Sequence, residues 1–278
     1  MSETLVRAIS GAVYVAILLF ACWYSEASFK ILIGIFLVLA TIEFSKLIRF
    51  NTIIGVLLAL GFYIPFGVFE DVGNQFDLVF VFFSIITAFW LIKKLFSSEN
   101  LIVNEGYKKY LIFLGYIVFS FILLSKIPFE NTHLNTSEQT YHPLIIILIF
   151  VMIWINDTFA YLIGKTFGKH KLLERISPKK TVEGFLGGAF FTIIFSLFIP
   201  KIFDWKTETK WFWLILPVII ITFATLGDLV ESKFKRSANV KDSGNIMPGH
   251  GGILDRLDSI ILVVPFVFLF YQIINYVS

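Results

Sequence analysis

The 278-residue chain contains a single cysteine, Cys22, so no disulfide can form within it and the fold must be held by helix packing, with Cys22 an inert packing residue. Charge is scarce too: 15% of residues are charged against 57% hydrophobic, a balance that excludes one water-soluble core. The apolar runs also lack the alternation of a barrel strand. Lipid accepts only helices or closed barrels, because every backbone polar group must be satisfied, and the continuous runs therefore read as helices. No GxxxxGK[ST] motif is present, which disfavours a P-loop nucleotide site. No repeat relates the two halves, which weighs against a transporter. The first run has one cation before it and ends in Cys22-Trp23-Tyr24, a poor cleavage site, so it reads as a span and not as a signal peptide.

What is present is a series of nine apolar runs: Ala8 to Tyr24, Phe29 to Ile48, Thr52 to Phe69, Phe76 to Phe96, Tyr110 to Phe129, Pro143 to Gly164, Phe185 to Phe203, Trp211 to Leu229 and Leu257 to Val277. Each approaches the roughly 20 residues that a hydrocarbon core about 30 Å thick requires. The expectation is an all-α, polytopic transmembrane bundle of about nine spans forming a single integral membrane domain, 1–278. The third run is the weakest, interrupted by Gly55, Gly61, Pro65 and Gly67. Nine crossings place Lys30, Lys126, Lys201, Lys206 and Lys210 on one side and the other eighteen Lys and Arg residues on the opposite side, with the N-terminus. This asymmetry predicts a cytoplasmic N-terminus and an external C-terminus. Two chemically rich loops, 165–183 and 231–256, then face the cytoplasm. Lys46, Arg49, Lys93, Lys94, Lys108 and Lys109 are explained by topology alone. Asn135-Thr136-Ser137, in the polar outer loop, matches a glycosylation acceptor and is read as chance.

Topology does not explain the acids, which contribute little to orientation and are costly in a bilayer. Asp228 ends the eighth run, Asp255 and Asp258 open the ninth, and Asp157 lies late in the sixth. A spacing of three puts Asp255 and Asp258 on one helical face, about 5–6 Å apart at Cβ. Two such carboxylates repel, and a hard divalent cation, magnesium, is the natural partner, with Asp228 completing the site from the facing helix end. The alternative is first-turn electrostatics at a helix start. For Asp157 a polar pairing with Asn156 stands equally open.

Lys233, Lys235, Arg236 and Lys241 precede these acids. Cations fixed beside a carboxylate cluster suit phosphoryl or nucleotidyl transfer, whose transition state spreads negative charge over phosphate oxygens. Between them, Ser243 to Gly252 is glycine-rich, and its amides are candidates to cradle phosphate. His250 there reads as a hydrogen-bond donor, an acid/base group or a loop residue. In the earlier loop, Ser177-Pro178 reads as an N-cap and first helical residue, an anion site reinforced by Lys179 and Lys180.

Ser232-Lys233-Phe234-Lys235-Arg236, Lys241-Asp242-Ser243-Gly244 and Pro248-Gly249-His250-Gly251-Gly252-Ile253-Leu254-Asp255-Arg256-Leu257-Asp258 together resemble the signature of the phosphatidate cytidylyltransferases, or CDP-diacylglycerol synthases. Ser177 to Gly184 resembles that family's second recognisable stretch, and Met247 departs conservatively from its usual Leu, Ile or Phe. The resemblance implies a transfer of the cytidylyl group of CTP to phosphatidic acid. It implies Asp228, Asp255 and Asp258 as ligands of one or two Mg2+ ions, with a monovalent cation allowed in addition, and Lys235 as a further reacting-site residue. Ser177, Lys179, Lys180, Thr181, Arg236, Lys241, His250 and Arg256 are then expected to bind substrate. The partners expected are the two substrates and membrane lipid, without nucleic acid; a homodimer is compatible. The short N-terminus, without a long hydrophilic extension, resembles plasma (inner) membrane forms. A CTP-dependent lipid kinase and a transporter are the rival readings.

Overall fold

The apolar runs fold as helices whose starts are set by local capping. Ser25 and Ser28 form a reciprocal capping box at the second helix. Asn51 accepts the amides of Ile53 and Ile54 at the third. In each case a short polar side chain takes up amides that the helix leaves unpaired.

The computed structural model describes residues 3–69, 76–101, 106–131, 139–203 and 211–277. These form nine helices: α1 (Glu3–Tyr24), α2 (Glu26–Leu47), α3 (Thr52–Tyr63, prolonged by a π turn Ile64–Val68), α4 (Asp77–Phe96), α5 (Gly106–Lys126), α6 (Pro143–Phe167), α7 (Val182–Ile202), α8 (Phe212–Ser237) and α9 (Leu254–Val277). The chain is an all-α polytopic bundle, relieved by two short antiparallel hairpins. In one, β1 (Phe129–Asn131) pairs with β2 (Gln139–Tyr141); in the other, β3 (Lys171–Leu173) pairs with β4 (Ser177–Thr181). Asn135-Thr136-Ser137, Lys206 and Lys210 lie outside the described residues.

Among the described residues, eight helices are long and apolar enough to cross a membrane, and α3 with its π turn is shorter. At 1.5 Å per residue it reaches about 25 Å, and its ends nevertheless meet opposite ends of the bundle. Before it, the Arg49 carbonyl accepts from Lys109 Nζ at 3.0 Å; after it, the Val68 carbonyl accepts from Lys30 Nζ at 3.3 Å. Inside α5 a π segment, Phe113–Val118, surrounds Gly115, whose missing side chain leaves room for Thr87 of α4. The helix is thereby the most enclosed of the bundle, while α1 and α7 are peripheral.

Small residues set the closest helix contacts, as they do where lipid offers no hydrophobic drive between helices. A Cβ on Gly184 would lie 2.5 Å from the Ala160 carbonyl, and one on Gly188 would lie 2.6 Å from that of Asn156, so α7 runs directly along α6. A Cβ on Gly227 would lie 2.7 Å from the Asp258 carbonyl, which brings α8 and α9 into similar contact. The basic segments gather at one end of the bundle. Lys233 Nζ donates to the Ser97 carbonyl at 2.9 Å, Arg175 reaches the same carbonyl, and Arg7 lies against the turn at Gly249.

Candidate active site

The carboxylates come from the second half of α8 and the first turns of α9, which glycine allows to touch. On α8, Asp228, Glu231 and Lys235 are spaced three and four apart and share a face. On α9, Asp255 and Asp258 are likewise one turn apart, as their spacing predicts. Lys235 Nζ donates to Asp255 Oδ1 at 2.7 Å and forms an ion pair with Glu231. Glu231 is 0% exposed, and its carboxylate meets the Lys235 ammonium that Asp255 also holds. Asp228 pairs with Lys180 of β4 at 2.5 Å and accepts from Ser232 Oγ at 3.2 Å. Asp258 accepts the amide of Ser259 at 2.7 Å and stands within electrostatic reach of Asp157 and Asp228.

The chain enters α9 through a turn that only glycine makes easily: Gly249 and Gly251 have φ of 75° and 86°. The turn is closed by Met247 N to the Gly251 carbonyl and His250 N to the Met247 carbonyl, both at 2.9 Å. Asp255 Oδ2 receives the Gly252 amide at 2.7 Å and both the amide and hydroxyl of Ser243 at 2.9 Å. Glu43 of α2 receives the amides of Ile253 and Leu254 at 3.1 and 2.8 Å. Of the amides expected to cradle phosphate, those of Ser243 and Gly252 are taken by Asp255. The close approach that glycine permits serves two protein carboxylates instead.

Two cavities meet here. One, of about 250 Å3, lies between α1, α6 and α9, with Tyr14, Phe150 and Trp154 on its apolar wall and Asp157, Asp255 and Asp258 on its polar one. The other, of about 600 Å3, is a polar recess of the glycine turn that Arg7, Lys241 and Asp242 help to line. His250 and Arg256 belong to both. Ser10 of α1 hydrogen-bonds His250 Nδ1 at 2.7 Å, and Arg256 donates to the His250 carbonyl at 3.2 Å. Burial, with Arg256 and Arg7 nearby, holds the His250 imidazole below its ordinary pKa.

Other expected site residues are placed differently. Ser177 does not cap a helix: Pro178 continues an extended strand, and the cap of α7 is Thr181, whose buried hydroxyl accepts the Gly184 amide at 3.1 Å. The N-terminal anion site therefore does not form at Ser177. Lys179 is exposed on the hairpin. Arg236 turns toward the end of its own helix, donating to the Val240 carbonyl at 3.4 Å. The loop expected at 231–256 begins later, because α8 continues to Ser237 and carries Lys233, Lys235 and Arg236 as helical residues. Asn156 donates to Asp157 at 3.4 Å, a long bond that leaves Asp157 facing the cavity.

Residues 5–274 match the sequence model of the Cytidylyltransferase family. The chain belongs to this family. It is 37% identical over 220 residues to a phosphatidate cytidylyltransferase of Staphylococcus saprophyticus, covering 79% of this chain and 80% of that one. It is 43% identical over 176 residues to one of Staphylococcus aureus, covering 56% and 66%, and 48% identical over 120 residues to one of Staphylococcus epidermidis, covering 43% and 46%.

For a chain of the cytidylyltransferase family, the donor set is of the kind a divalent ion takes: oxygen only, and in excess of its cations. Asp157, Asp228, Glu231, Asp255 and Asp258 face Lys180, Lys235 and Arg256. Among the described residues no three acidic, histidine or cysteine side chains already converge on one point, since Lys180 and Lys235 stand between the carboxylates. Sequence reasoning missed Arg7, Ser10, Glu43 and Glu231. The signal for Glu43 and Glu231 was available: each is an acid inside or beside an apolar run, where an ionisable group demands a reason.

Proposed function

We propose that the chain transfers the cytidylyl group of CTP to phosphatidic acid, yielding CDP-diacylglycerol and pyrophosphate, at the cytoplasmic face of the plasma membrane. The observation that carries this reading is the pair of cavities sharing His250 and Arg256, one among the helices with an apolar wall facing a carboxylate wall and one polar at their end. A nucleotide enters from water and a lipid phosphate from between helices, and both reach Arg256. The orientation rests on the gathering of basic segments at one end of the bundle together with the positive-inside rule. With α3 counted as a crossing, nine spans leave the C-terminus outside.

An oxygen of the lipid phosphate forms the new bond to the α-phosphorus of CTP, the bond from that phosphorus to the bridging oxygen of the β-phosphate breaks, and pyrophosphate leaves with those electrons. A phosphate monoester has a second pKa of about 6 and is largely dianionic near neutral pH, so no strong general base is needed. Lys241, Arg256 and Arg7 meet phosphate charge from the polar recess, Arg in bidentate fashion. Lys180 and Lys235 hold Asp228 and Asp255 in place and lie ready to share their charge with phosphate. Asp228, Asp255 and Asp258 are the residues that would hold one or two Mg2+ ions, whose chemistry when bound is to offset the repulsion of two anionic reactants and the charge of the leaving group.

The test is an assay of the purified chain with labelled CTP, phosphatidic acid and magnesium. Labelled lipid and free pyrophosphate are expected. CDP with a newly phosphorylated lipid would establish a lipid kinase instead, and solute transport without CTP turnover a transporter.

A further inference from the structure

Glu43 lies near the end of α2, some two hundred residues from the glycine turn, yet it is the hub of the entry into α9. It is 2% exposed, and its oxygens accept from Ile253 N, Leu254 N and, at 3.0 Å, Ser243 Oγ. Those amides belong to the opening turn of α9, where backbone donors lack partners within the helix and negative charge is favoured. Gly244 and Gly252 make room for the carboxylate, since a Cβ at either position would collide with it. Such a grip could serve stability alone. What sets it apart is that the Ser243 hydroxyl also lies 2.9 Å from Asp255 Oδ2. A hydroxyl carries one hydrogen, so the two carboxylates compete for it and the position of each depends on the other. Asp255 in turn holds Lys235, and Asp258 follows one turn later.

We propose that Glu43 is a positioning residue for cytidylyl transfer: through Ser243 and the first amides of α9 it sets where Asp255 and Asp258 stand relative to Asp228. The proposal rests on the assignment of Asp255 to the reacting site. A displacement of about 1 Å in such a site can cost on the order of a hundredfold in rate.

The experiment uses the full chain purified in detergent and compares Glu43→Gln, Ser243→Ala and the double variant by kcat, by KM for CTP and for phosphatidic acid, and by thermal melting. The amide of Gln turns donors toward backbone donors and removes the charge, while Ser243→Ala cuts only the link between the carboxylates. Glu43→Gln is expected to lower kcat about 10- to 100-fold, the range for losing an outer-shell partner, with each KM changed by less than about threefold. Ser243→Ala is expected to lower kcat about tenfold with its melting temperature kept, and the double variant to lose less than the product of the two. Wild-type kcat in Ser243→Ala would overturn the proposal, as would a loss in Glu43→Gln that only follows the folded fraction. If Glu43→Gln does not fold, Ser243→Ala decides alone. Full activity in Asp255→Asn would remove the site reading itself, an outcome distinct from failure of the link to Glu43.

Discussion

The two ends of the bundle use the same lysine–carboxylate chemistry in different proportions. At the end marked by Val68 and Phe129, the described residues include two lysine–carboxylate pairs. Lys126 of α5 pairs with Asp77 of α4; Lys30 pairs with Glu26 at 2.7 Å, donates to the Val68 carbonyl and lies 4.6 Å from the Phe129 ring centroid. The cavity nearby, about 600 Å3 between α2 and α3, is lined mainly by apolar residues such as Ile35, Leu60 and Tyr63. At the opposite end, five carboxylates crowd around three cations, and the buried Glu231 shares Lys235 with Asp255. The Lys126–Asp77 pair ties α5 to α4, whereas a surplus of one sign waits for a ligand of the other.

The comparison breaks most visibly if charge is removed from each end in turn. Asp258→Asn should lower CTP turnover per folded molecule by about three orders of magnitude, the worth of several kcal/mol of charge stabilisation. Asp77→Asn should leave turnover within about twofold while lowering the melting temperature by several degrees, because it breaks a pair that touches no reactant. Turnover and melting of the two purified variants decide it, and the opposite pattern would erase the distinction between the ends.

A smaller effect sharpens it through packing. Gly227→Ala places a methyl against the Asp258 carbonyl backbone, which cannot yield cheaply; it should cost about 1–3 kcal/mol of stability and lower turnover about tenfold by pushing α8 from α9. Gly34→Ala at the end marked by Val68 meets the ring edge of Tyr63 at 3.0 Å and should affect melting alone.

The smallest effect concerns pH. With the folded-state pKa of His250 lowered, the unfolded chain takes up that proton first, so stability is lost as pH falls from about 6.5 toward the lower folded value. Thermal melts at pH 7.5 and 5.5 should therefore show a shallower acid loss in His250→Asn than in the wild type, by about a degree or two.

Much of the site could be read from the chain. The three-residue spacing of Asp255 and Asp258 survives in α9 because helical geometry is local. The placement of Lys180 on Asp228 could not be read, because it depends on a hairpin folding back over α8. Ser177 misled because Ser-Pro satisfies the local rule for a helix start, while pairing of β4 with β3 moved the start to Thr181. Nor could the sequence separate Arg236 from its neighbour Lys235: one position apart on the helix, Lys235 points into the cluster and Arg236 toward the Val240 carbonyl.

The sequence by itself determined that this protein is a bundle of apolar helices with acids late in one run and at the start of the next, because hydropathy and helical periodicity act over one span at a time. Only the tertiary structure decided which lysine meets which carboxylate, that Glu43 governs the start of α9, and that two cavities share Arg256. Those are contacts between segments far apart in the chain, set by where glycines let helices touch.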